Sequence, residues 1–399
     1  MILPQGIQDA NFYELVKYAL LQKGYNSLAD FIREAPNYWY DDEVWKELFP
    51  IAPYENPTRA FEQRIGDAYV PVMATYLADE AETPLITNEG VELRTAEIPR
   101  MGQGFLFSAK SYEDARKLIR SGADAVVNSI YDSFSLDMMK LIRGIHTQRS
   151  FTALQIESQG YYTTTKANNN GGIDGLKINM NPLTTNKRAA GGYGTKGVKE
   201  AYSSNSANPI GDLQDMFEYG WRNRLLSPDP ASSVIRMSDA QWEAIKNHAS
   251  VKNAVAMWKT GYLASVDNLA GVHITDNDLK TYMSSLNLPS VSVSKTYGFR
   301  EKLNKDTGKV EKVPMSAFAE NTIVMRPAGA VGQMQWSKVS NIFSTPDVPM
   351  YFTDGGAIAV QEDTKARAHG KKFSAESLCV PVPTAIERVL YLNTAEAAK

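Results

Sequence analysis

Between residues 111 and 145, apolar side chains recur at intervals of three or four: Ala115, Ile119, Ala123, Val126, Ile130, Phe134, Met138, Ile142 and Ile145. That spacing is the stripe of an amphipathic helix. Ser111 stands where it can cap the helix, with Asp114 at the capping-box position. About 35 residues at ~1.5 Å each make a rod of roughly 50 Å, long for a compact domain. Gly122 and Gly144 interrupt the stripe and cost ~1 kcal/mol each relative to alanine, so either is a place for a bend. The stripe is expected to bury Ile119, Val126, Ile130 and Phe134 against strands.

On either side the pattern changes. Residues 1–60 read as short helices separated by breakers: "NFYELVKYALLQKG" runs from a capping Asn11 to Gly24, and "SLADFIREAP" and "DDEVWKELFP" each close on proline. Helices this short are marginal alone and need a surface to lie on, another subunit's among the candidates. From about 64 to 104 the chain reads as a β-hairpin, with Asn88, Glu89 and Gly90 as turn residues and Gly102 and Gly104 allowing a sharp exit.

Beyond 145 the chain loosens into Asn- and Gly-rich loops around a strand at "LKINMNPL". Helical period returns at "NPIGDLQDMFEYGWRNRLL", with Ile210, Leu213, Phe217, Trp221 and Leu225 on one stripe. "SSVIRM" reads as a short buried strand. Ser238 then caps a helix, with Gln241 expected to complete a capping box, and Thr275 caps another. The last hundred residues are mostly strands, and no 20-to-50-residue repeat is visible. The fold class is α+β.

Composition narrows the function classes. The chain has 399 residues, 43% hydrophobic and 22% charged, so a sizeable core is expected. A net charge of −3 argues against a nucleic-acid binder working by overall attraction. Cys379 is the only cysteine, so no intrachain disulfide forms, as suits a reducing cytoplasm. The start lacks a basic segment followed by an apolar one, and no apolar run approaches 18 residues, so neither a signal peptide nor a membrane span is expected. The hairpin is different. Between Gly66 and Pro99 stand seven acids (Asp67, Asp79, Glu80, Glu82, Glu89, Glu92, Glu97) against Arg94 alone.

Each candidate for chemistry has a plainer competitor. "GGYGTKG" at 191–197 lacks the order of a phosphate-binding loop and reads as a flexible loop. Ser292 and Lys295 match S-x-x-K, but the local period is two, so the pair faces opposite sides of a strand and the match reads as chance. Asp276 and Asp278 suit a helix start better than a metal, because no second ligand cluster accompanies them. His146, His248, His273 and His369 stand too far apart for a zinc motif. Asp41 to Glu43 and Glu362–Asp363 read as solvated charge. "KARAHGKK" at 365–372 is a short basic run between strands, without aromatics on which bases could stack. No catalytic constellation, metal site or cofactor is expected.

The order of elements carries more than any motif. The ribbon ending "VELRTAEIPRMGQG", the helix "SYEDARKLIRSGADAVVNSIYDSF", the helix–strand–helix run from 208 to 248, and the finish from "IVMRPAGAVGQMQW" to "CVPVPTAIERVLYLN" come in sequence. In that order they resemble the major capsid proteins of tailed bacteriophages, especially the lambda-type major capsid protein E family. The resemblance covers about 60 to 399, and its signal is order and spacing. It implies an N-terminal arm (1–60), an E-loop hairpin (61–105), a P-domain with a spine helix (106–205), an A-domain around a sheet (206–345) and strands returning to the P-domain (346–399). It implies a subunit that assembles as hexamers and pentamers into an icosahedral shell around double-stranded DNA, in the host cytoplasm, without chemistry. Scaffold, portal and decoration proteins are further partners, and DNA contact is expected to be weak and sequence-blind. In that family the hairpin lies across a neighbour, so Glu82, Glu89, Glu92, Arg94 and Glu97 are expected at a subunit contact. Arg116, Lys117 and Arg120 of the spine helix are the expected cationic acceptors. A different virion component, or a hydrolase with an unrecognised site, are the alternatives.

Overall fold

The computed structural model describes residues 12–34, 43–65, 92–108, 124–169, 172–190, 200–260, 273–303, 310–339, 350–367 and 370–397. The chain opens with α1 (Phe12–Gln22), α2 (Leu28–Glu34) and α3 (Val44–Leu48). Gly24, at φ 91°, ends the first, and the Ser27 hydroxyl accepts the Asp30 amide at 3.1 Å to start the second. Val16, Ala19, Leu20, Leu28, Phe31 and Ile32 are buried. The surface these short helices need is the chain's own: Phe31 meets Phe134 at 6.3 Å and Tyr131 at 6.1 Å on the long helix.

Next, β1 (Ala60–Ile65) pairs antiparallel with β2 (Glu92–Glu97), from Ala60↔Glu97 to Ile65↔Glu92. A turn at Asn88 to Gly90 would pair β2 with the residues just before 88; its partner is instead β1. The pair is thus the root of a ribbon whose residues 66–91 lie outside the described residues. Phe61, Gln63 and Ile98 are buried and fix the root in the core. The chain then runs straight into β3 (Arg100–Ser108), which pairs with a closing strand. Gly102 and Gly104 therefore make no sharp exit. A Cβ on either would stand 3.0 Å from a carbonyl oxygen of that partner, Ala375 or Phe373, so glycine serves close approach.

The long stripe folds as one helix, α4 (Asp124–Gln159), 36 residues and roughly 54 Å. It continues well past Ile145, while its expected start, with Ser111, Ile119 and Gly122, lies outside the described residues. Phe134, Met138, Leu141, Ile142 and Ile145 are buried, followed by Phe151, Ala153, Leu154 and Ile156. Gly144 has a specific reason. The Gln103 side chain sits against it, donating to the Lys140 and Leu141 carbonyls at 2.9 and 2.8 Å, and a Cβ there would fall 1.8 Å from Gln103 Nε2.

Beyond a small ladder, β4 (Tyr161–Thr163) on β5 (Lys177–Asn179), two sheets complete the fold. One contains β6 (Lys187–Ala190), β7 (Ser233–Ser238), β8 (Ser290–Ser294), β11 (Thr322–Pro327) and β16 (Leu390–Ala397), in the order β6-β16-β11-β7-β8. β16–β6 and β7–β8 are parallel and the rest antiparallel. One face, with Ile235, Met237, Ile323, Met325, Leu390 and Leu392, packs under α5 (Pro209–Arg222), α6 (Asp239–Asn247), α7 (Ala249–Thr260) and α8 (Asp276–Ser285). The alternate residues Val324 and Tyr391 join Phe151 and Leu154 of α4 on the other face. Burial on both faces agrees with the reading of "SSVIRM" as a short buried strand.

On α5 the sequence stripe is displaced: Ile210, Leu213 and Phe217 are buried, but Trp221 is 39% exposed, and Met216 and Gly220 face the core instead. Leu226 and Leu390 fill the space beside Gly220, where a Cβ would stand 2.5 Å from Leu226 Cδ1.

The second sheet has β12 (Gly332–Ser337), β13 (Met350–Thr353), β14 (Ile358–Arg367) and β15 (Gly370–Pro383), in the order β12-β15-β14-β13, with β3 also on β15. Ile358, Val360, Phe373 and Ala375 pack against α1, α2 and the first half of α4. The last strand, β16, thus belongs to the sheet of β7 and β11, while β14 and β15 lie under the long helix.

Candidate assembly surfaces

Among the described residues no group of three or more His, Cys, Asp or Glu side chains could hold a metal, and no helix is long and apolar enough to cross a membrane. Asp276 and Asp278 work as helix-start residues. Thr275 and Asp278 form a reciprocal capping box, and hydrogen bonds from Lys259 and then Thr275 hold the Asp278 carboxyl down at about 2. Asp276 pairs with Lys246 at 2.8 Å, which lowers the acid and raises the amine. Ser292 lies within β8, as its period of two predicts, and Lys295 approaches Asp239 at 3.7 Å. His146 and His248 are packed, the latter between Ser250 Oγ at 2.7 Å and the Ser204 carbonyl at 2.9 Å. His273 is exposed. The loop 191–197 and His369 lie outside the described residues.

Two readings of solvated charge are corrected. Glu362 is buried within β14. Glu43 stands 2.7 Å from His146 and accepts a hydrogen bond from the Trp45 indole, so it fastens the arm to the long helix. The basic run at 365–372 also differs: its ends extend β14 and β15, with Arg367 paired to Gly370.

Buried polar ties, which no periodicity reveals, hold arm, helix and sheets in one frame. Glu157 on α4 is fully buried, with Oε1 2.6 Å from Arg326 Nε and Oε2 3.4 Å from Arg236 Nη1. Arg236 reaches on to Glu47 of α3 at 3.3 Å, and Arg326 donates to the Pro327 and Gly329 carbonyls at 2.8 and 2.9 Å. Arg149, also buried, bonds Asp354, Ser377 Oγ at 3.0 Å and Cys379 Sγ at 3.2 Å, and lies 5.0 Å from the Trp45 ring. A long helix fixed at this many points is a rigid beam.

From that beam the ribbon root projects. Gln63 Nε2 donates to the Met180 carbonyl at 3.2 Å, and the Ile98 amide donates to the Arg59 carbonyl at 2.8 Å. Thr95, Ala96 and Glu97 are exposed. Of the expected contact residues, Glu92 and Arg94 lie in β2 opposite Ile65 and Gln63, and Glu97 opposite Ala60. Glu82, Glu89, Arg116, Lys117 and Arg120 lie outside the described residues.

Two further surfaces escaped the sequence reading. A second ribbon pairs β9 (Tyr297–Leu303) with β10 (Val310–Ser316). Gly298 abuts the Phe151 ring on its inner side, while Phe299 is 61% and Tyr297 45% exposed outside. Alternation marks these strands, but only the tertiary fold shows that the outer face is uncovered. The other surface is a pocket of about 320 Å³ between the end of α4, β4, β6 and β16, lined by Tyr161, Lys187, Arg188, Thr322, Tyr391 and Asn393. Its residues come from four distant stretches, so no sequence signal could assemble it.

No protein-family model matches the chain, and no curated protein does. Among solved structures it is similar to a phage-related protein of Bordetella bronchiseptica RB50, at 12% identity over 96% of each chain and a TM-score of 0.43. A proposed capsid protein of a prophage of E. coli CFT073 is similar at 12% identity, over 97% of this chain and 99% of that one, with a TM-score of 0.46. The capsid of cyanophage P-SCSP1u gives 10% identity over 89% of each chain and a TM-score of 0.43. These TM-scores lie below 0.5, so the functional reading rests on the chain's own architecture.

Proposed function

We propose that the protein is the major shell subunit of a tailed-phage head, assembling as hexamers and pentamers into an icosahedral container for double-stranded DNA in the host cytoplasm, and performing no chemistry. The observation that carries this reading is the order of elements: an arm, a ribbon anchored at its root, a 36-residue helix across a sheet, a helix–strand–helix unit and closing strands. The division into arm (1–60), E-loop (61–105), P-domain (106–205), A-domain (206–345) and returning strands (346–399) is part of the proposal. So are scaffold, portal and decoration proteins as partners.

The ribbon is the intersubunit arm. Its acids discourage edge-to-edge aggregation while the subunit is free and favour a cationic surface on assembly. Glu82, Glu89, Glu92, Arg94 and Glu97 then meet a neighbour, with Arg116, Lys117 and Arg120 of its long helix as acceptors. Exposed pairs are worth only ~0.2 to 1 kcal/mol each, but a closed shell repeats them many times. Replacing Glu89, Glu92 and Glu97 with lysine is expected to leave a soluble subunit with native circular dichroism that forms few shells. Sedimentation beside thermal melting tests this. Wild-type protein that never forms megadalton particles overturns the shell reading. A triple variant that assembles like wild type, or unfolds, overturns the role of the ribbon.

A further inference from the structure

The second ribbon turns one face to the core and the other to solvent. Inward, Gly298 abuts the Phe151 ring, Arg300 Nη2 donates to Gln148 Oε1, and Met315 packs against the core. Just past the ribbon, Gln155 Nε2 donates to the Ala317 carbonyl at 2.8 Å, and the Ala319 amide donates to Ser158 Oγ at 3.1 Å. The root is therefore tied to the rigid second half of α4. Outward stand the alternate residues Tyr297, Phe299 and Glu301 of β9, with their register partners Ser316, Pro314 and Lys312 of β10. All but Ser316 are exposed. From the root outward the face reads ring against hydroxyl, ring against proline, acid against base.

We infer that this face docks on the same face of a second copy of the chain, across a twofold axis parallel to the strands. The inference rests on the shell reading and adds to it a contact that joins one ring of subunits to the next. Rings of five or six close by heterologous contacts, and linking rings about twofold axes takes an isologous, self-complementary patch. The register supplies one. With the axis parallel to the strands, β9 of one copy lies over β10 of the other, at the ~10 Å spacing of stacked sheets. Phe299 then covers Pro314 of the second copy and Glu301 faces its Lys312, and each contact occurs twice. Acid and base alternate around the resulting square of four charges. A twofold axis across the strands would instead lay β9 over β9 and β10 over β10, so that no acid meets a base. Pro314 works against the other mode of self-association, strand addition, because a proline lacks the amide that an added strand would take up. A face this narrow covers far less than the ~1,200 Å² of a stable complex, so lone subunits stay apart and the contact acts where a shell repeats it.

Charge variants assembled alone and in mixture test the contact. Glu301→Lys leaves only bases on the outer face, and Lys312→Glu leaves only acids. Both side chains are exposed, so both variants are expected to melt like wild type. Alone, each should lower shell yield in sedimentation at least about tenfold, because every twofold contact then sets like charges against each other. Mixed in equal amounts, the two should form shells again, since a basic face meets an acidic one on the other copy. An attraction confined to one chain is not restored by mixing. Should a charge variant melt early, Phe299→Ser takes its place: lowered shell yield with unchanged melting supports the contact, and unchanged yield overturns it. With wild type forming shells, wild-type yield from both charge variants overturns the contact, and so does a loss that mixing fails to restore; the shell reading stands in either case. Wild type that forms no particles overturns both readings.

Discussion

Replacing Glu157 with glutamine tests whether the long helix is held by its buried charges or merely by its apolar stripe. The carboxylate is fully buried, and it faces two guanidinium groups whose side chains are only 2% (Arg326) and 6% (Arg236) exposed. Removing one partner of a buried ion pair costs ~3–5 kcal/mol, because the remaining charge is left uncompensated. Arg326 retains the Pro327 and Gly329 carbonyls, and Arg236 retains Glu47. The amide also keeps one acceptor, so E157Q should cost about 3 kcal/mol, the lower end of that range. The natural control is Glu47, on the same network but 68% exposed. E47Q should cost no more than ~1 kcal/mol, as surface pairs do. Urea unfolding of dilute, unassembled subunit measures both, and E157Q/R326M should recover part of the loss by removing the stranded charge. If E157Q unfolds within ~1 kcal/mol of wild type, or E47Q costs as much, burial does not set the strength of this tie.

Gly144→Ala should destabilise the subunit although alanine is the better helix former by ~1 kcal/mol, because its methyl group collides with Gln103; adding Gln103→Ala should restore or exceed wild-type melting, and a stabilised single variant would refute the packing role. Thr275→Ala should cost ~1 kcal/mol by removing the cap of α8. Because the Asp278 carboxyl is held at about 2 against an ordinary 3.8, its contribution is full above about 3.8 and is lost as pH falls toward 2. An NMR titration of Asp278 in wild type and in Thr275→Ala measures that midpoint, which should rise when the cap is gone; an unchanged midpoint would assign the shift to Lys259 alone.

Local chemistry was legible along the chain wherever one residue acts on its near neighbours. Thr275 with Asp278, the Ser238 cap, and the stripe from Phe134 to Ile145 stand in the structure as the sequence reads, because caps and helical faces depend on separations of three or four residues. The Gln241 side chain does not close a capping box with Ser238; its Oε1 accepts from the Thr394 hydroxyl at 2.9 Å instead. The α+β class and the order of ribbon, long helix and closing strands follow from the same periodicities. What only the tertiary structure decided involves partners far apart in sequence. Gly102 and Gly104 look like a turn until β15 is laid against them, and Asn88 to Gly90 look like the hairpin's end until β2 takes β1 as its partner. Glu362 and Glu43 resemble surface charge because composition records no burial. The ties through Glu157, Arg236 and Arg326, and the cations beside Tyr161 and Tyr391, join residues from separate stretches of the chain. Charge acts through space, and the distance along the chain between Lys187 and Tyr391 carries no trace of the 6.0 Å that separates amine from ring in the fold.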